Sequence, residues 1–120
     1  MITDRYKKII GENAAGIIKA KARTMTRHYK TANPFALAIL SGIDVQRIKL
    51  PKGIKGIRGF AQDGRVFLND RLHSTQRRLT MAHELGHQVL GHLKRGGDIS
   101  YMEYSAELFC YYLTGEINPR

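Results

Sequence analysis

Apolar residues recur at two different periods along this chain, and the change of period divides it. Between residues 4 and 30, Ile9, Ile10, Ile17, Ile18 and Met25 form a broken stripe at helical spacing. Gly11 and Gly16 weaken that stripe, which predicts one long helix or two shorter ones. Thr31-Ala32-Asn33-Pro34 is a restart, with Asn33 suited to an N-cap and Pro34 to the first helical position. The next helix is expected from Phe35 to about Ser41, ended by Gly42.

The pattern then becomes strand-like. Val45 to Leu50 reads as a short strand closed by Pro51. Ile57 to Gln62 and Arg65 to Asn69 read as two more, joined by Asp63-Gly64, a dipeptide favoured in hairpin turns. Gly53, Gly56 and Gly59 predict a flexible or bulged lead-in. From Ser74 or Thr75, either of which can cap, the helical period returns. Leu79, Ala82, Leu85, Val89 and Leu93 supply the apolar face of a long helix reaching about Leu93. Gly96-Gly97 breaks the chain, and a last helix is expected from about Tyr101 to Leu113, ended by Gly115 and Pro119. The expected class is α+β: one small domain over residues 1–120, with helices on a short, about three-stranded, mainly antiparallel sheet.

With 42 % hydrophobic residues, the chain has the means to fold. No apolar run approaches the length a bilayer demands, and the first ten residues lack the apolar stretch of a secretory signal. Cys110 is the single cysteine, so no internal disulfide is possible, and a reducing cytoplasm is the expected location. The formal charge of +10 is uneven: residues 1–30 carry eight Lys/Arg against Asp4 and Glu12, whereas residues 83–120 carry three against five acids. Residues 1–30 therefore read as a basic helical N-terminal extension and 31–115 as the core. Such lysines and arginines serve as solvated helix faces, or steer an acidic partner or nucleic acid.

The acidic end carries the chemistry. His83-Glu84-Leu85-Gly86-His87 spells H-E-x-x-H within the long helix. Residues i and i+4 stand one above the other, so the two imidazoles can grip one metal ion. A catalytic zinc takes three protein ligands and keeps one position open. His92 is a poor third ligand, because on a continuous helix it would rotate by about 140° from His87. Glu103 is the better one. It shares a face with Ala106, Glu107 and Cys110, where small residues invite a second helix against Gly86. Glu107, one turn on, is placed to accept the Nδ1–H of a ligating histidine. Cys110 reads as a small core residue. Glu84 is expected to act on the attacking water as general base. Tyr101, Tyr104 and His73 are the candidate oxyanion donors.

Taken together, these blocks resemble the ImmA/IrrE family of metallopeptidases. The matching stretches are Asn33-Pro34-Phe35-Ala36-Leu37-Ala38 with Gly42-Ile43-Asp44-Val45, then Gly64 to Asp70, then Arg77 to His87, then Glu103, Ala106, Glu107 and Phe109. The resemblance implies a gluzincin-like Zn2+ site with His83, His87 and Glu103 as ligands and Glu84 as base. It implies an endopeptidase whose substrate peptide adds to the strand Val66 to Asn69 as to a sheet edge. It also implies a protein substrate, a helix-turn-helix repressor, as in the regulation of mobile elements. Two departures stand out: Glu107 where the family has Asp or Asn, and Tyr112 to Pro119 in place of an L-L-M-P ending. Two other classes of function compete. One is a metal-containing regulatory protein that sequesters a transcription factor without turnover. The other is a nucleic-acid-associated module using the basic N-terminus.

Overall fold

Gly11, at φ 94°, divides the N-terminal helical segment into α1 (Ile2–Ile10) and α2 (Glu12–Tyr29). The computed structural model describes residues 2–51 and 56–117; the glycine signal at Gly53 and the stop signal at Pro119 lie outside them. Gly16 stays inside α2, and Lys30 closes that helix in the left-handed region at φ 57°. The buried stripe runs through Tyr6, Ile10, Ala15, Ile18 and Ala22, whereas Ile9 and Ile17 are exposed. Two alanines and a tyrosine thus carry much of what the isoleucines were expected to carry. The reason is close packing: α1 and α2 both lie against the last helix, and alanines let α2 approach it. The basic segment thus contributes residues to the apolar core.

Asn33 caps α3 (Pro34–Leu40) as expected, accepting from the backbone N–H groups of Phe35 and Ala36. Such a cap stabilises a helix by about 1 kcal/mol. The strands are β1 (Asp44–Ile48), β2 (Gly59–Gln62) and β3 (Arg65–Asn69). Asp63-Gly64 turns β2 into β3, with Gly64 at φ 80°. The strand order is β1-β3-β2. β2 pairs antiparallel with β3, but β1 pairs parallel, Val45 opposite Val66, so the sheet is mixed. β3 is consequently the central strand and not the expected edge. β2 forms the edge on its side.

Gly59 is packed, not flexible. A Cβ there would fall 2.8 Å from the Phe67 carbonyl oxygen and 3.0 Å from Thr80 Cγ2. Opposite it, Val66 and Leu68 project into the core, while Phe60 and Phe67 stack on the other face with centroids 4.8 Å apart.

α4 spans Ser74–Val89 and is capped by His73, whose Nδ1 accepts from Gln76 N–H, rather than by Ser74 or Thr75. Every residue from Leu79 to His87 is buried. A helix buried all round needs neighbours on every side, and α4 has the sheet, α3 and the last helix. It ends four residues earlier than expected. Gly91, at φ 74°, turns the chain into the short α5 (His92–Arg95). Asp98 then caps α6 (Ile99–Thr114) through Tyr101 N–H, and Gly115 closes it at φ 78°. Ala106, Leu108, Phe109, Cys110 and Leu113 of α6 are buried. Cys110 is the expected core residue, with its thiol 3.5 Å from the Glu116 carbonyl. Among the described residues no helix is long and apolar enough to cross a membrane.

Candidate metal centre

The α4–α6 contact places a carboxylate over two imidazoles. His83 and His87 lie one turn apart on α4, with ring centroids 4.9 Å apart. Gly86 faces Ala106 between them and lets α6 close in. Glu103, one turn before Ala106, then reaches both rings: Oε2 lies 2.9 Å from His83 Nε2 and Oε1 3.0 Å from His87 Nε2. The three ligand atoms lie within 4.8 Å of one another. Two imidazole nitrogens and one carboxylate form the donor set that suits a divalent first-row ion with a position left open. The imidazoles are buried and Glu103 is half-exposed, so the centre is reachable from one side.

The charges of the site are set by this geometry. Burial disfavours a charged His83, but the hydrogen bond to Glu103 and the carboxylates of Glu84, Glu103 and Glu107 outweigh it, so its pKa is raised. The hydrogen bonds from His83 and His87 hold Glu103 well below the usual carboxylate range, against an opposing effect of burial. The two shifts agree on a site poised for positive charge beside an ionised carboxylate. Glu84 moves the other way. Burial raises its pKa, Glu103 adds to the rise, and His83 and His87 offset part of it. A carboxyl group held above its ordinary value is a better proton acceptor.

The cavity at this centre is about 280 Å³ and is bordered by Gly59, Phe60, Ala61, Glu84, Met102 and Glu103, with His87 and His92. β2 is thus the sheet edge beside the site. Gln88, next to His87, fixes that hairpin: its Nε2 donates to the Gln62 and Arg65 carbonyls at 2.6 and 3.1 Å, and its Oε1 accepts from Gly64 N–H. The neighbours of the histidines differ from expectation. Glu107 accepts from Tyr6 Oη at 2.9 Å, not from a ligating histidine. The Nδ1 of His83 is buried with no partner among the described residues, and the Nδ1 of His87 lies 2.8 Å from His92 Nδ1. His92 would rotate away from His87 only if α4 continued. The helix stops at Leu90, and the Gly91 turn swings His92 back onto His87. Gly91 was the signal in the sequence for this. None of Tyr101, Tyr104 and His73 borders the cavity: His73 caps α4, Tyr104 packs edge-on against Tyr6, and Tyr101 lies in a neighbouring hollow.

A family model described as the IrrE N-terminal-like domain, a peptidase family, matches residues 20–115. The chain is also similar to an "Uncharacterized immunity region protein 2" of Bacillus phage phi105, with 32 % identity over 75 residues. That stretch is 62 % of this chain and 48 % of the phage protein, so the chain spans about half the length of the curated relative it matches. No solved structure matches the chain. The family match takes in most of the chain and includes every residue of the candidate centre, and the chain belongs to this peptidase family.

Proposed function

We propose that this member of the IrrE N-terminal-like peptidase family is a zinc-dependent endopeptidase that cuts a specific partner protein, with a helix-turn-helix repressor as the substrate. His83, His87 and Glu103 are its metal ligands and Glu84 its general base. Support for the metal comes chiefly from one observation: both carboxylate oxygens of Glu103 meet the outer nitrogens of the two histidines at 2.9 and 3.0 Å. A bound zinc ion would supply Lewis acidity, lowering the pKa of water and polarising a carbonyl. The remaining work falls to the protein. The outer edge of β2 pairs with the substrate backbone and holds the scissile carbonyl over the site. Glu84 takes the proton from the attacking water and hands it to the leaving amine. The buried walls keep other water away from Glu84 and sustain its raised pKa.

The phage immunity-region relative supports a repressor as substrate, since immunity in a phage is a matter of repression. A buried Glu84 beside the ligands supports turnover over simple sequestration of a transcription factor, which requires no base. The test uses purified protein and a candidate repressor encoded nearby. About one zinc per chain is expected, with cleavage of the repressor. Glu84→Gln is expected to retain the metal and lose cleavage by about a thousand-fold or more. Full cleavage by that variant refutes the assigned base.

A further inference from the structure

A second cavity lies against the metal centre, and its walls are of a different kind. It has a volume of about 540 Å³ and sits between α2, the Gly91 turn and the start of α6. Cavities of roughly 300–1,000 Å³ are the size that takes small ligands or side chains. His92 and Met102 border both cavities, so they form a shared partition. The mouth carries Ile17, 57 % exposed, and Tyr101, 42 % exposed. Lys21 and Arg95 add two cations to its walls, against Asp98, whose carboxylate is engaged in capping α6. Arg95 spends one N–H on the Leu90 carbonyl and retains others. Ser105 also borders the cavity, is 2 % exposed, and its hydroxyl has no hydrogen-bond partner among the described residues. A buried hydroxyl without a partner costs about 1–3 kcal/mol.

The geometry points to a specificity pocket for the substrate: this cavity receives an apolar side chain flanked by a carboxylate, next along the peptide from the bond over the metal centre. Gly59 to Ala61 of β2 border the centre together with His92 and Met102, and these last two also border the second cavity, so a strand laid on the outer edge of β2 has that cavity within reach. The apolar side chain packs against Ile17 and Tyr101. The carboxylate meets Lys21 and Arg95. Lys21, one of the basic residues of the N-terminal helices, thereby acquires a task with Arg95, selecting acidic over basic sequences by charge complementarity. The pocket rests on the peptidase reading for bond cleavage, but not for binding itself.

The test therefore measures binding without turnover. Glu84→Gln protein in its metal-loaded form is titrated with short labelled peptides that share one serine-rich frame. One carries a Leu-Glu pair, one Leu-Lys and one Ser-Ser, and fluorescence anisotropy gives each Kd. The Leu-Glu peptide is expected to bind about ten-fold tighter than either other peptide. Lys21→Glu, at an exposed position, is expected to erase or invert the preference between Glu and Lys, and Ile17→Ser to weaken both Leu peptides. Circular dichroism confirms that the variants fold. Equal affinities for the three peptides, no measurable binding, or an unchanged order in Lys21→Glu overturns the proposal. If the wild type cleaves nothing while the preference holds, the peptidase reading fails and the pocket stands.

Discussion

Gly86 and Ala106 meet so closely that a Cβ on Gly86 would lie 3.2 Å from Ala106 Cα, 3.2 Å from its carbonyl oxygen and 3.2 Å from Phe109 Cβ. Two of those three atoms are backbone, and α6 can relieve the crowding only by moving bodily. Gly86→Val is therefore expected to destabilise the fold by about 1–3 kcal/mol, despite valine's better helix propensity, because the interface is overpacked. The same shift would carry Glu103 away from the histidines. Urea unfolding and zinc titration of one sample check both effects; a variant as stable as wild type with unchanged affinity would show that the helices tolerate a side chain between them.

That contact also marks how far the sequence was legible. The Asn33-Pro34 start, the Asp63-Gly64 turn and the H-E-x-x-H spacing are local rules, and each was readable from a few adjacent residues. The pairing of Glu103 with the motif was readable because small residues occur on both facing helices. The parallel pairing of β1 with β3 was not, since it depends on a crossover and not on any turn dipeptide. Nor was the role of α1. Tyr6 reaches Glu107 across 101 positions of sequence, and nothing in either neighbourhood names the other. The position of His92 beside His87 was not legible either, because one left-handed glycine, Gly91, outweighs a long helical period.

Tyr6→Phe removes that long-range bond. Glu107 is 4 % exposed, and Tyr6 Oη donates to it at 2.9 Å. Phenylalanine keeps the ring against Tyr104 and removes only the hydroxyl. Leaving a buried acceptor short of a donor costs about 1–3 kcal/mol. A lower urea midpoint with an unchanged slope is expected. An unshifted midpoint would mean that the bond adds nothing to stability.

His92→Ala separates a positioning role from a ligand role. For His87 to offer its Nε2 lone pair, its proton must sit on Nδ1, and His92 Nδ1 lies 2.8 Å from that atom. Burial, then the charges of His87, Arg95 and His83, lower the His92 pKa to about 4 against the pull of Glu103. A neutral His92 can accept the proton's hydrogen bond at Nδ1. Removing such a partner typically weakens metal binding by about 10–100-fold. Competition against a chromophoric chelator should show that loss with the zinc stoichiometry unchanged. Loss of the metal altogether would instead make His92 a ligand.

Glu103→Ala tests the third ligand in a way that does not depend on any substrate. A metal that binds only the folded chain stabilises it by RT ln(1 + [L]/Kd), about 2.7 kcal/mol at a hundred-fold excess over Kd. Adding zinc to stripped wild-type protein should therefore raise its melting temperature, and a chelator should reverse the rise. With Glu103 removed, two imidazoles remain, and they lack the charge and the third donor that make the site selective. The variant should melt at the same temperature with or without zinc. It should fold, because Glu103 is half-exposed and contributes nothing to the apolar core. A zinc-dependent rise as large in the variant as in wild type would remove Glu103 from the ligand set.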